Sequence, residues 1–366
     1  MTRRECQILH WIQENPMISQ QELAEKAGIT RSSAAVHISN LMKKGYILGK
    51  GYIVRSAPYV VVIGGVTMEI HGRSMESLAV SNTGLVEMRL GGTGRNIACN
   101  MALLGMEVHF LTAYGDDMAA QKLMDSCGEL GIDLRHAMQV PDATTSTQLT
   151  ISQPNGEREL TMCDTSIYKK MTPTFLAAQM PLIHHAQLVV IDTTIPAESI
   201  VWLADNCRVP IFADSASIAE TEKLVDVVGK LHTIRANRAE VERLCGIPLT
   251  SRNNINRAAD VLLARGLRRI IIGLGADGVF AADHRGRCFL PSFPGNKVCT
   301  VGCGDAFTAA VAWAQIDGTN LENTARMGLA AASIAMESAE NVNPVLCIPE
   351  VQKRCAASRV KFQYPR

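Results

Sequence analysis

Five apolar residues run without a break from Tyr59 to Ile63 and stop at Gly64-Gly65, the pattern of a strand buried on both faces of a parallel sheet. Further short apolar runs fall at 108–113, 188–191, 209–213, 233–235 and 269–273. Between and after them lie segments that read as helices, at 91–104, 117–130, 197–206, 218–231, 238–244, 255–264, 304–315 and 321–338. Strand and helix in alternation predict an α/β fold, a parallel sheet covered by helices on both faces. Two stretches break the rule. Residues 66–90 are polar and alternating, and strands at 145–152 and 158–162 flank Asn155-Gly156, a hairpin signal. Both predict exposed strands, a small β lid near 66–90 and 144–165 over the sheet's carboxyl edge, where open α/β sheets bind ligands.

The first 57 residues follow another plan. Ile8, Leu9, Trp11 and Ile12 have helical spacing over 3–14, and Asn15-Pro16 ends that run. Ser19 reads as the N-cap of a helix over 20–27, Gly28-Ile29-Thr30 as a turn, and 31–42 as a third helix. Helix, glycine-containing turn and helix is the arrangement in which the second helix reads the DNA major groove. Residues 43–54 read as a small β-wing, and Ser56-Ala57-Pro58 as a joint. The expected division is therefore 1–57, a winged helix-turn-helix domain, and 58–366, the α/β domain.

Charge supports that division. The chain as a whole carries +1, but residues 1–57 hold eight Lys/Arg against four acids, so the basic character is local and the remainder is net acidic. The same plan also serves as a dimerisation module, and a dimer would double the charge and supply two half-site readers. A hydrophobic content of 47% fits a soluble protein with a substantial core. Eleven cysteines without a Cys-x-x-Cys pair, and no leading apolar signal segment, read as reduced thiols in a cytoplasmic enzyme. No run of 18 apolar residues occurs, so no membrane span is expected.

The chemistry concentrates in Thr300-Val301-Gly302-Cys303-Gly304-Asp305, a glycine turn opening an alanine-rich helix. Free N–H groups and the positive helix end can hold a phosphate there. Asp305 is either a helix cap or a general base for a hydroxyl attacking phosphorus. Gly91-Gly92-Thr93-Gly94-Arg95-Asn96 opens a second helix in the same way. Gly273-Leu274-Gly275-Ala276-Asp277-Gly278 has the letters of a dinucleotide fingerprint, but Val279-Phe280-Ala281-Ala282 behind it is strand-like, where the fingerprint must open a helix. No P-loop motif is present.

These motifs, in this order over residues 58–348, resemble the paired signatures of the ribokinase-like, or PfkB, family of carbohydrate and nucleoside kinases. The resemblance implies Asp305 as catalytic base, with the N–H groups of Gly302, Cys303 and Gly304 on the transferring phosphoryl. It implies Glu69, Gly92 and Asn96 on the acceptor, with Asp164 as a further candidate. Gly273, Gly275 and Gly278 stand in the family's nucleotide loop, with glycine where threonine is usual. Asn237 and Glu240 match its Asn-x-x-Glu element, Asn237 beside the phosphates and Glu240 on magnesium. Asn341-Val342-Asn343-Pro344 falls where relatives shape the adenine pocket, with Asn343 the nucleotide-binding candidate. Thr67 and Glu69 replace an asparagine and an aspartate, and Cys299 replaces an aspartate that many members use in a monovalent-cation site.

The head is similar to winged-helix domains of MarR-like and Lrp-like bacterial regulators. That likeness implies Arg31, Ser32, Ser33 and His37 facing bases or phosphates of double-stranded DNA, with Lys43, Lys44 and Lys50 on backbone phosphate. Head and kinase parts together look most like bacterial pseudouridine-kinase-like proteins. The expectation is an ATP- and Mg2+-dependent kinase, homodimeric, phosphorylating a hydroxymethyl group of a sugar or ribonucleoside. The alternative is a transcription regulator whose kinase-like domain senses such a ligand without turnover.

Overall fold

The computed structural model describes residues 1–49, 58–79 and 81–358. Lys50 and the rest of the expected wing through residue 54 lie outside the described residues. The chain divides into two compact units, Met1–Pro58 and Tyr59–Arg366.

In the first unit, α1 (Arg3–Glu14), α2 (Gln20–Ala27) and α3 (Arg31–Lys43) bury Ile8, Ile12, Leu23, Ile38 and Leu41 against one another. Thr2 and Ser19 close capping boxes with Glu5 and Glu22, so two helix starts are fixed by local chemistry. Gly28 ends α2 at φ 62°, a left-handed conformation that glycine adopts without a steric penalty.

The second unit runs β1 (Tyr59–Ile63), β2 (Thr67–Ser74), β3 (Gly84–Gly91), α4 (Thr93–Leu103), β4 (Glu107–Leu111), β5 (Ala113–Tyr114), α5 (Met118–Glu129), β6 (Met138–Gln139), β7 (Thr147–Ser152) and β8 (Arg158–Asp164). It continues with α6 (Pro173–His185), β9 (Val189–Asp192), α7 (Ala197–Asn206), β10 (Ile211–Asp214), β11 (Thr233–Asn237), α8 (Arg238–Cys245), α9 (Arg252–Ala264) and β12 (Arg269–Gly273). β13 (Val279–Asp283), β14 (Gly286–Leu290), α10 (Cys303–Ile316), α11 (Leu321–Ala335) and α12 (Ile348–Ala357) complete it.

Eight strands form one sheet in the order β14-β13-β12-β11-β10-β9-β1-β4. β12 through β4 pair in parallel, and β13 and β14 add an antiparallel edge. The fully apolar β1 divides by the two-residue period of a strand. Val60 and Val62 join the core beneath α4, α10 and α11, whereas Val61 and Ile63 join the core beneath α6 to α9. Small residues let α10 and α11 approach closely, and a Cβ at Gly328 would stand 2.6 Å from the Phe307 ring.

Three segments depart from the helical expectation, one of them α12 (Ile348–Ala357), which follows the last helix expected at 321–338. Residues 220–230 form successive 3-10 turns rather than an α-helix, with Thr221, Leu224 and Val227 buried at intervals of three, the repeat of that tighter helix. Helix α6, with Pro181 inside it, has no counterpart in the sequence reading, because an internal proline argues against a helix.

The polar stretches pair as a four-stranded sheet, β3-β2-β7-β8. Hairpins β2–β3 and β7–β8 are joined by a parallel ladder between β2 and β7.

Candidate active site

Three carboxyl ends of the main sheet, the two glycine turns and the base of the small sheet converge on one cleft. Gly302 precedes α10 at φ 80° and caps it without a side-chain bond. Asp305 is therefore no helix cap. Its Oδ2 instead accepts from Asn96 Nδ2 at 2.9 Å, which draws the starts of α4 and α10 together. Burial, and then the nearby Asp214, raise the Asp305 carboxyl to about 7, against the opposing pull of Asn96 and Arg235. A carboxylate with that affinity can take a hydroxyl proton near neutral pH.

One wall of the cleft is built around Asp192 at the end of β9. This fully buried carboxylate accepts from Gly65 N at 2.8 Å, Gly94 N at 2.7 Å and Thr194 N at 2.9 Å, and from the Thr194 hydroxyl. It thereby pins the turn after β1 to the turn before α4. A Cβ on Gly92 would fall 2.7 Å from Gly65 O, and one on Gly94 2.8 Å from Gly64. Close backbone approach is the reason for glycine at both.

On β2, Glu69 Oε2 accepts from Asn341 Nδ2 at 3.0 Å, with His71 Nε2 at 3.6 Å. The Asn341 carbonyl occupies the place a side chain on Gly302 would need. Asn341 thus stands between the small sheet and the phosphate turn, a role the sequence did not signal. The Thr67 hydroxyl is engaged by Ser146 at 3.2 Å.

Beside Arg235 lies a cavity of about 160 Å³ lined by Gly273, Gly275, Gly278, Cys303, Gly304 and Arg235, among others. The structure thus brings the Gly273–Gly278 loop against the phosphate turn. Asn237 caps α8 and closes a capping box with Glu240: Asn237 N donates to Glu240 Oε2 at 2.7 Å, and Glu240 N to Asn237 Oδ1 at 3.0 Å. Glu240 is 4% exposed. Burial raises its carboxyl above the usual range, opposed by the Asn237 bond and Arg235.

Arg235 has no counterpart among the sequence motifs. It projects from β11 at the floor of this cleft and donates to Asp214 Oδ1 at 3.3 Å, while Thr308 Oγ1 donates to Asp214 Oδ2. A Cβ on Gly304 would come within 2.6 Å of its guanidinium. Burial alone would weaken its charge, but Asp214, Asp305 and Glu240 more than restore it. The available signal was a lone cation inside the strand-like Thr233-Ile234-Arg235-Ala236, two residues before Asn237.

Other candidates lie apart. Asp164 is exposed at the end of β8, where its carboxylate accepts from Ser166 N at 2.9 Å, and its register partner Thr147 separates it from Met68 of β2. Asn343 is buried within its own loop, donating to Ile334 O at 2.7 Å and accepting from Val345 N at 3.1 Å. The Cys303 thiol, raised to about 11 by burial, faces the Cys299 carbonyl at 3.9 Å.

In the first unit, Arg31, Ser32 and Ser33 are exposed at the start of α3 and His37 is half-buried, its Nδ1 without a partner. The Ser33 hydroxyl lies 2.9 Å from the Thr30 hydroxyl. Lys44 is bonded to both oxygens of Glu5, at 2.8 and 2.9 Å, and with the Thr2 N–H holds that carboxyl down at about 2. Lys43 is exposed and makes no ion pair among the described residues.

A carboxylate near neutrality beside a helix N-terminus, with a guanidinium across it, is the equipment of an enzyme that transfers phosphoryl groups to a hydroxyl. The chain belongs to the PfkB family of carbohydrate kinases, whose model matches residues 57–346, and it is a sugar or nucleoside kinase. Residues 1–47 match a winged helix-turn-helix DNA-binding family. A protein of Escherichia coli K12 described as uncharacterized sugar kinase YeiI is 33% identical over 352 residues, 94% of this chain and 97% of its own. The pseudouridine kinase of the same organism is 33% identical over 302 residues, 81% of this chain and 96% of its own. Among solved structures, Arabidopsis thaliana ribokinase complexed with ribose and ATP superposes with a TM-score of 0.74 at 21% identity, over 82% of this chain and 99% of that one. Kinases of this family use ATP. Among the described residues, no helix is long and apolar enough to cross a membrane.

Proposed function

We propose that this protein transfers the γ-phosphoryl of ATP to a hydroxymethyl group of a ribonucleoside, with pseudouridine the first acceptor to test. The observation that carries the chemistry is Asp305, held 2.9 Å from Asn96 in the first turn of α10 with its pKa near 7. The relative that supports the acceptor is the pseudouridine kinase aligned over 96% of its length.

Glu69 and Asn96 orient the acceptor, and Asp305 takes the hydroxyl proton as the oxygen attacks phosphorus. The N–H groups at Gly302, Cys303 and Gly304 and the Arg235 guanidinium stabilise the charge on the transferring group. Magnesium fits the donor set. No group of three or more metal-ligating side chains occurs among the described residues, and magnesium is commonly held by one or two carboxylates, waters and substrate phosphates. Glu240 would hold it partly through water, and the ion would neutralise charge on the ATP phosphates.

The head adds a regulatory reading, in which α3 presents Arg31, Ser32 and Lys43 to DNA. Exposed Val86, Met88, Leu160 and Met162, which the register places on one face of the small sheet, support a homodimer, since clustered exposed apolar residues mark association surfaces. Light scattering on the purified chain tests it, and a monomeric mass would refute it.

The deciding experiment measures ATP consumption with pseudouridine, inosine, other ribonucleosides, ribose and fructose, with Asp305→Asn in parallel. Turnover with a nucleoside, lost in the variant, is expected. Stabilisation by one compound without ATP consumption would instead make the domain a sensor.

A further inference from the structure

A second polar cavity lies at the opposite end of the sheet. Arg269 begins β12, whose other end is Gly273, and Gln315 sits in the last turn of α10, whose first turn holds Asp305. This cavity, of about 550 Å³, is lined by Arg268, Arg269 and Arg285 with His232, Asp283 and Gln315, among others. A larger one of about 770 Å³ shares Arg269, Asp283 and Arg285 as a common wall and adds Asn256, Phe289 and Leu321.

Charge in the smaller cavity is unbalanced. Three guanidinium groups face one carboxylate. Asp283 Oδ1 already accepts from Arg285 N at 2.8 Å and Gly286 N at 3.1 Å, and its Oδ2 stands 3.9 Å from Arg269 Nη2. Arg269 is only 8% exposed, donates Nη1 to Gln315 at 3.0 Å and leaves Nε without a partner. Arg268 and Arg285 make no ion pair among the described residues. His232 registers the resulting field: burial first, then the charges of Arg269 and Arg268, lower its pKa to about 4. All this occurs in the part of the chain that is net acidic.

We infer that this cavity binds a small phosphate ester, its phosphate between Arg268, Arg269 and Arg285 and its organic part in the larger cavity. Three cations against one carboxylate leave room for a dianion, and guanidinium forks match phosphate oxygens in geometry. The adjoining cavity falls within the roughly 300–1,000 Å³ of small-molecule sites and offers the Phe289 ring and the Asn256 amide, which inorganic phosphate alone would not use.

The test is calorimetric titration of the full chain, its active site saturated with a non-hydrolysable ATP analogue and magnesium. Inorganic phosphate and ribose 5-phosphate are the two probes. Wild type is expected to bind both, the ester at least tenfold more tightly, and Arg268→Gln with Arg285→Gln to weaken both at least tenfold. Both substituted residues are exposed, and thermal denaturation verifies that the variant folds. Equal affinities in variant and wild type, or no binding by wild type, would overturn the site. Equal affinities of wild type for the two probes would overturn the ester and leave free phosphate as its ligand. None of these outcomes depends on whether Asp305 is the kinase base.

Discussion

Asn96 and Asp305, 209 positions apart in the chain, share a 2.9 Å hydrogen bond that joins the two glycine-opened helices. Because this bond favours the ionised carboxylate, it opposes the burial that raises Asp305 to about 7. The base works only when ionised, so kcat/KM should fall about tenfold per pH unit below that pKa and level off above it. In Asn96→Ala the falling limb should move to higher pH. A pH–rate profile of the two enzymes checks this, and an unmoved limb would separate Asp305 from the rate.

Asp305→Asn should cost about 10²–10⁴-fold in kcat, the usual contribution of a general base, with ATP affinity largely kept. The same change should raise thermal stability at pH 8 and not near pH 4. A carboxyl whose folded pKa is raised contributes stability below its unfolded pKa and loses it as pH rises through the folded one. Melting curves at the two pH values test the sign.

Arg235 faces Asp214, Asp305 and Glu240. Arg235→Lys keeps a cation beside the buried Asp214 but gives up the fork. It should fold and lose on the order of 10²–10³-fold in kcat, as when one group stabilising transition-state charge is removed. Arg235→Ala should also unfold more readily, since it leaves a buried carboxylate unpaired. Steady-state kinetics and thermal melts together distinguish the two effects.

Gly304→Ala would push a methyl into the Arg235 guanidinium, 2.6 Å away. Expected is a folded protein in which the phosphate turn and Arg235 no longer fit together, with kcat reduced more than acceptor KM rises. Unchanged kcat would place the transferring phosphoryl elsewhere.

Asn341→Ala removes the 3.0 Å bond to Glu69. Acceptor KM should rise several-fold while ATP KM holds, because Glu69 alone loses its orientation. A rise in ATP KM of equal size would show that losing the Asn341 side chain also displaces the turn at Gly302, against which the Asn341 backbone carbonyl packs.

Much of this site was legible along the chain. A buried strand betrays itself by an unbroken apolar run, as in Tyr59–Ile63, and a phosphate turn by glycines ahead of a helix, as at Gly302 and Gly304. Arg235 escaped because a cation in a strand has meaning only once β11 lies beside the start of α10. The bond between Asn341 and Glu69 escaped because the two are 272 positions apart, and no local pattern encodes such a contact. Lys44 was expected on DNA phosphate, and its engagement by Glu5 likewise required α1 and α3 to be seen packed.

The parallel ladder between β2 and β7 has a consequence for how acceptor choice can be altered. The small sheet is a composite of two chain segments, one leaving β1 and the other preceding α6. Neither hairpin is a self-contained cassette: transplanting Thr67–Gly91 from another kinase without its matching Thr147–Asp164 would leave a strand edge with mismatched neighbours. With Glu69 on β2 proposed to orient the acceptor, an exchange of that preference has to move both hairpins as a matched pair.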